Sequence, residues 1–456
     1  MEDMRMELEA PRLGTGMMER YEIENRRPAR INVVQFGMSA TLLGCVDRLI
    51  DDAGIGLGIA CVEAGETGYA GLLSAQEGLY TVVIRGYEGE EAVRREQVVQ
   101  CVLSACGPEG LEALARDPEI ALGIVDDSPE AMALARRFAD LRRAAGLEAV
   151  PLIALGGDLD GCGAAVIPAR ADSLVCRSAA NEAARLCAEM NYRDAMLHLA
   201  EPYARLTLCA PEAFRARFPL DRADGVRFMG AEEMLDELRL KTQVFDAGVF
   251  LMAAAGWLNG CDTLYDCMKH ERLRRFVGEA FTRELMPMLA DMDRQAVEQR
   301  VIESFARYEN PLNRNRLLDV ARGLLGRVAG DFVPAMRRWA EDCFEPPRGL
   351  AFALAATIML YAGVRQNPEN GRYEVARGKE ICVLEDDPAR LSVFATLSHD
   401  MPPESLAYAA LADRELWNGQ DLRQIDGLEA RVALDIAAMQ REPGFLPEGE
   451  SLSTQQ

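Results

Sequence analysis

Histidine is scarce in this chain, with three in 456 residues, His198, His270 and His399. None stands at a metal-ligand spacing from another histidine or from a cysteine pair, which argues against a zinc site. The twelve cysteines are scattered without a single C-x-x-C pair. That pattern suits reduced thiols packed as small apolar side chains in a cytoplasmic protein, not a disulfide framework. Positive charge is also short, 50 Lys and Arg against 73 Asp and Glu, for a net charge of −23. Such a surface repels nucleic acid and anionic membrane, and both are excluded as partners. A small anionic substrate is not, because a local pocket need not follow the global charge. Long apolar runs are lacking too. The amino terminus alternates Met, Glu and Arg without the apolar centre of a secretory leader, and the run from Leu350 to Gly363 is too short for a bilayer and reads as a core helix.

What is present falls into two halves. Residues 1–29 are polar, a loose lead-in. Ile31 to Gly37 is a β-branched run ending at glycine. Ala40 to Asp52 has helical periodicity, glycines break the chain at 54–58, and Ile59 to Glu63 reads as a second strand. Strand, tight turn, helix, strand opens a doubly wound nucleotide fold. Further strands are expected at Leu79–Gly86, at Gln97–Ala105 (antiparallel to it), at Ile120–Val125 and at Val150–Leu155. Helices are expected at Pro129–Ala145 and over 178–200. From 231 onward nearly everything is helical apart from 372–376 and 381–384. The expected architecture is an α/β Rossmann-like domain over 30–230, then a mostly α-helical domain over 231–456.

The phosphate-binding signal is thin. The dinucleotide fingerprint needs glycines so that the backbone can approach a pyrophosphate, but here Phe36-Gly37 is followed by Met38-Ser39. Glu63, at the end of the second strand, is placed to hold a ribose hydroxyl; the plain alternative is a surface glutamate on a Rossmann-like core. The cluster from Gly156 to Gly163 lacks the Lys-Ser/Thr of a P-loop and reads as a loop. In the second half, acidic Glu232, Glu233, Asp236 and Glu237 suit the positive end of a helix dipole, so a helix begins near Ala231. It runs through Lys241 and Asp246 into an almost wholly apolar stretch ending at Trp257. Lys241 is either a rim residue or a desolvated base.

Several stretches, in order over roughly residues 27–440, resemble the polyol-specific long-chain (mannitol) dehydrogenase family, and its tagaturonate reductase branch most. They are Val34-Gln35-Phe36-Gly37 with Val46-Asp47, Gly78 to Gly86, and Leu114 to Pro118 with Ser128-Pro129-Glu130. They continue with Tyr308-Glu309-Asn310-Pro311 with Arg314, Arg316 and Leu317, and Leu416 to Leu422. The resemblance implies NAD(P)-dependent hydride transfer at a secondary alcohol or ketone of a sugar acid or polyol. It assigns Phe36, Gly37, Met38, Ser39, Glu63 and Glu130 to the cofactor, Asn310, Asn315 and Arg316 to the substrate, and Lys241 and Asp246 to catalysis, with no metal.

The family signature is lysine, asparagine five residues on and histidine three further, which on an α-helix share a ~140° arc. Lysine serves as general acid–base, and the other two donate to the oxygen where negative charge develops. Here Lys241 stays, but Asp246 and Val249 fill the other two places. An ionised aspartate repels an alkoxide, valine offers no donor, and each lost donor typically costs ~3–4 kcal/mol of transition-state stabilisation. Ser39, Leu43 and Asn315 also depart from the pattern, and the family's Asn…Val-Asp-Arg-Ile segment has no counterpart between about 171 and 200. Three readings stand: an oxidoreductase with remodelled chemistry, in which a protonated Asp246 donates; a pseudoenzyme that binds a ligand or partner; and a Lys241–Asp246 ion pair with a structural role, although five is a poor spacing for a pair on an α-helix.

Overall fold

The computed structural model describes residues 10–88, 90–104, 108–156, 159, 161–311 and 316–447. The chain divides into two compact units, Met1–Met234 and Leu235–Gln456.

The first unit is built on eight strands: β1 (Ile31–Phe36), β2 (Gly58–Val62), β3 (Val99–Leu103), β4 (Leu122–Val125), β5 (Leu152–Ala154), β6 (Val166–Asp172), β7 (Arg205–Leu208) and β8 (Val226–Phe228). Their spatial order is β8-β7-β6-β5-β4-β1-β2-β3. The six strands from β3 to β6 run parallel, and β7 turns antiparallel to β6. Read as 3-2-1-4-5-6, this is the dinucleotide-binding order, whose direction of winding reverses between β1 and β4. The middle strands are buried on both faces, which is why they are apolar at nearly every position.

One pairing differs from expectation. Tyr80–Arg85 pairs antiparallel with Glu91–Glu96, not with 99–103, which joins the main sheet as β3. Glu91-Ala-Val-Arg-Arg-Glu96 carries four charges in six residues and hides its strand character; it lies at the edge of a small second sheet, where charge blunts unwanted pairing. Two other expectations shift. Residues 178–200 split into a helix, Ala180–Met190, and a strand, His198–Ala200. The lead-in is not wholly loose, since Thr15–Arg20 is helical and buries Met17 and Met18 with Leu79 and Tyr192.

Beneath the first helix lies a polar knot. That helix, residues 40–53, contains a π-turn at Leu42–Val46, and Tyr80 Oη sits 2.8 Å from Leu43 O and 2.9 Å from Asp47 Oδ2. A phenol has one hydrogen to give. Leu43 O and Asp47 Oδ2 are both acceptors of that one hydroxyl. Burial pushes the Asp47 carboxyl up to about 8, against the pull of Tyr80 and Gln35.

The second unit is helical around two buried helices, Ala247–Leu258 and Arg348–Tyr361, with a small three-stranded sheet at Arg365–Gln366, Tyr373–Arg377 and Glu380–Val383. Its helices carry three more π-turns, at Lys241–Asp246, Phe281–Leu285 and Val328–Phe332. In the second of these, buried Glu284 accepts from the Gly349 and Leu350 amides at 2.7 and 3.3 Å, closing the open start of Arg348–Tyr361. Among the described residues no helix is long and apolar enough to cross a membrane.

Candidate active site

In the first unit the strand reversal leaves a crevice beyond the carboxyl ends of β1 and β4. Gly37, at the end of β1, has φ +112°, a conformation L side chains avoid. Phe36 is buried against Phe138, with ring centroids 5.4 Å apart, and Met38 is buried in the core under the sheet. These two are packing residues. Ser39 caps the following helix, its Oγ accepting from the Leu42 amide at 3.3 Å.

The Ser39 hydroxyl also donates to Asp126 Oδ1 at 3.0 Å, and the Asp127 amide donates to the same oxygen at 3.0 Å. Burial raises the Asp126 carboxyl from its usual range, while these bonds and one from the Ser39 amide draw it back. A Cβ on Gly37 would lie 2.7 Å from Asp126 Cβ, so glycine there makes room for the aspartate. Asp127 lies in the same way against Gly156, at the end of the β5 side of the crevice, where a Cβ would meet its carboxyl at 2.2 Å.

Glu63 follows β2 as expected, but its Oε1 accepts from the Thr67 hydroxyl and from the Tyr69 and Ala70 amides at 2.8 and 3.4 Å. It holds the start of the helix Tyr69–Ser74. Glu130 is exposed in the first turn of Pro129–Ala144, which Ser128 caps through the Ala131 amide. Of the glycine cluster, Gly157, Asp158 and Asp160 lie outside the described residues.

In the second unit, Lys241 and Asp246 are the first and last residues of a π-turn. An α-helix sets side chains five apart on diverging bearings. The wider π-turn, with its i→i+5 hydrogen bonding, stacks them. Lys241 Nζ therefore reaches both Asp246 oxygens, at 2.9 and 2.8 Å, with the lysine side chain 40% exposed and the aspartate 13%. Asp331, in the π-turn Val328–Phe332, feels both charges: burial and Asp246 raise its carboxyl, and Arg327 and Lys241 lower it.

Tyr308 Oη donates to Phe245 O at 2.6 Å, serving a carbonyl of the same π-turn. Gly248 admits it, since a Cβ there would stand 2.3 Å from that oxygen. Arg307 lies over the Phe245 ring, 4.1 Å from its centroid. Val249 is buried. Asn310 is fully buried just past Arg294–Tyr308. Arg316 is exposed, forms a bridge with Thr263 and points Nη2 to within 3.7 Å of Cys382 Sγ. Asn315 lies outside the described residues, as does Arg314.

Sequence reasoning thus placed Lys241, Asp246 and the Tyr308 segment together and missed Asp126, Asp127 and Asp331. The first two were within reach, because the rule that singled out Glu63 after β2 applies equally to acids directly after β4. Nothing in the sequence marks Asp331.

Residues 239–440 match the mannitol dehydrogenase C-terminal domain. The chain's relatives include altronate oxidoreductases. That of Klebsiella pneumoniae (strain 342) is 26% identical over 469 residues, covering 89% of this chain and 94% of the relative. That of Yersinia pestis is 26% identical over 462 residues, covering 88% and 92%. Among solved structures, a substrate-free D-sorbitol dehydrogenase superposes with TM-score 0.72 at 16% identity, covering 95% of this chain and 99% of that one. The mannitol 2-dehydrogenase of Pseudomonas fluorescens, in a ternary complex with NAD and D-mannitol, gives 0.69 at 16%, covering 95% and 98%. At that identity the likeness establishes the fold.

Proposed function

We propose that the protein is an oxidoreductase of the sugar-acid branch of the mannitol dehydrogenase family, working in the direction of carbonyl reduction on a keto sugar acid or ketose. The observation that carries the reading is Lys241, kept on the matched C-terminal domain with its Nζ 2.9 and 2.8 Å from the two oxygens of Asp246. A lysine ammonium so placed can give a proton to the oxygen of a carbonyl under reduction. Asp246 orients that ammonium, but as a carboxylate it donates nothing to the same oxygen, and Val249 donates nothing either. Turnover is therefore expected to be slow.

Nicotinamide dinucleotide, when bound, supplies the hydride in this family. The strand order and Gly37 suit it, but the side chains at the strand ends do not fit its diphosphate as arranged: Asp126 takes the Ser39 donors, Asp127 fills the space over Gly156, and Glu63 is spent on a helix start. A cytoplasmic setting is the one the scattered cysteines support.

The test is NADH consumption by the purified chain with tagaturonate, and altronate oxidation for the reverse direction. Reduction faster than oxidation, abolished by Lys241→Ala, supports the reading; activity indifferent to that substitution rejects it. The second reading, a non-catalytic relative, is favoured by the same ion pair. Its mark would be a silent native chain that reduces tagaturonate once Asp246→Asn and Val249→His are introduced.

A further inference from the structure

The crevice of the first unit has the backbone of an anion site and the side chains of its opposite. In dinucleotide folds, the glycine after the first strand lets the backbone approach a pyrophosphate, which then accepts from amides at the start of the next helix. Here Gly37 has the required positive φ, yet the space at its Cα is filled by Asp126, 2.7 Å from a Cβ placed there. Asp126 also has the donors: the Ser39 hydroxyl and the Asp127 amide at 3.0 Å each, and the Ser39 amide. A carboxylate on three donors is a close mimic of one phosphate oxygen pair. A second carboxyl, Asp127, fills the adjoining approach over Gly156.

We propose that Asp126 is an internal occupant of the diphosphate cradle and the residue that sets this chain's discrimination against a dinucleotide diphosphate. The inference rests on the dinucleotide reading given above and deepens it. An entering diphosphate must displace Asp126 from the Ser39 donors and then sit beside the displaced charge, so affinity is lost twice, once to competition and once to repulsion. A ligand with an adenosine moiety but no phosphate suffers neither loss.

The experiment is titration of the full chain and of Asp126→Ser with NADH, by fluorescence and calorimetry, with adenosine as the uncharged probe. Circular dichroism and thermal unfolding establish that both proteins are folded. Asp126→Ser is expected to bind NADH at least ~10-fold more tightly than the native chain, a difference of about 1.4 kcal/mol, with adenosine affinity unchanged. If the serine variant does not fold, Asp126→Asn, which keeps the shape and drops the charge, should gain several-fold in the same direction. Equal NADH affinity in native and variant chains overturns the inference and leaves the dinucleotide reading standing. An equal gain for adenosine also overturns it, because the effect would then be room and not charge. If neither folded protein binds NADH at millimolar concentration, the inference and the dinucleotide reading fall together.

Discussion

The crevice of the first unit and the π-turn of the second present one situation in two materials. Each keeps the framework's donors: backbone amides and a hydroxyl around Gly37 in one, the Lys241 ammonium in the other. In each, a carboxylate of the chain has taken those donors, Asp126 with Ser39 and Asp246 with Lys241. The difference lies in what holds the carboxylate in place. Asp126 is seated against a glycine whose missing side chain it fills, so its position is part of the packing. Asp246 lies beside a partly exposed lysine, and its position depends on the helix widening by one residue. A donor set can thus be silenced by steric design or by helical phase, and the two should yield differently to substitution.

The largest effect is expected in the second unit. Asp246→Asn with Val249→His returns two donors toward the substrate oxygen, and kcat for keto-acid reduction should rise by ~10²-fold or more, since one such donor is typically worth ~3–4 kcal/mol. Steady-state assay beside the native chain reads it, and an unchanged kcat would show that the π-turn is not where turnover is limited. Next come the two glycines. Gly248→Ala drives a methyl into Tyr308 and should cost about 2–3 kcal/mol, while Gly37→Ala adds a positive-φ penalty to its clash with Asp126 and should cost at least as much. Urea midpoints decide between them, and a mild Gly37→Ala would mean that Asp126 is loosely seated.

The third prediction concerns pH. Asp47 titrates near 8 and Glu96 near 7 in the folded chain, both raised by burial, so the native state holds protons that the unfolded chain gives up near pH 4. Stability from these groups is greatest in acid and falls as pH rises toward 8. His198, pushed down to about 4 by burial, acts in the opposite sense, but only between pH 4 and 6.5. Above 6.5 the acids act alone. The first unit should lose roughly 2 kcal/mol between pH 6.5 and 8, and Asp47→Asn should flatten that slope in chemical denaturation. The smallest effects are at helix starts. Ser128→Ala in the first unit and Thr263→Ala in the second should each cost about 1 kcal/mol. The second should cost more, because Thr263 and Asp266 cap each other's backbone reciprocally.

Much of the fold was legible from periodicity and glycine placement: β1, its helix, β2 and the switch to a helical second half all follow from patterns of two and 3.6. The charged strand Glu91–Glu96 was not, because edge strands trade β-propensity for charge. The π-turns were not either. Their residues compose an ordinary helix, and nothing in Lys241 to Asp246 announces a wider turn. For that reason a spacing of five read as a weak pair when it is a bidentate one. Lys241 and Asp246 were identifiable from order and chemistry, but their relation required the backbone.

A helix carrying a spare residue can lose it. Excising Thr242 would leave lysine and aspartate four apart on a regular α-helix, still able to meet, with the apolar wall of Ala247–Leu258 continuing unaltered. Removing one residue from within that wall would instead rotate everything beyond it by about 100° and turn packed faces outward. Tolerance of length change along this second unit is thus concentrated where the coil is wound loosest, and lineages of such chains should gain and lose single residues there first.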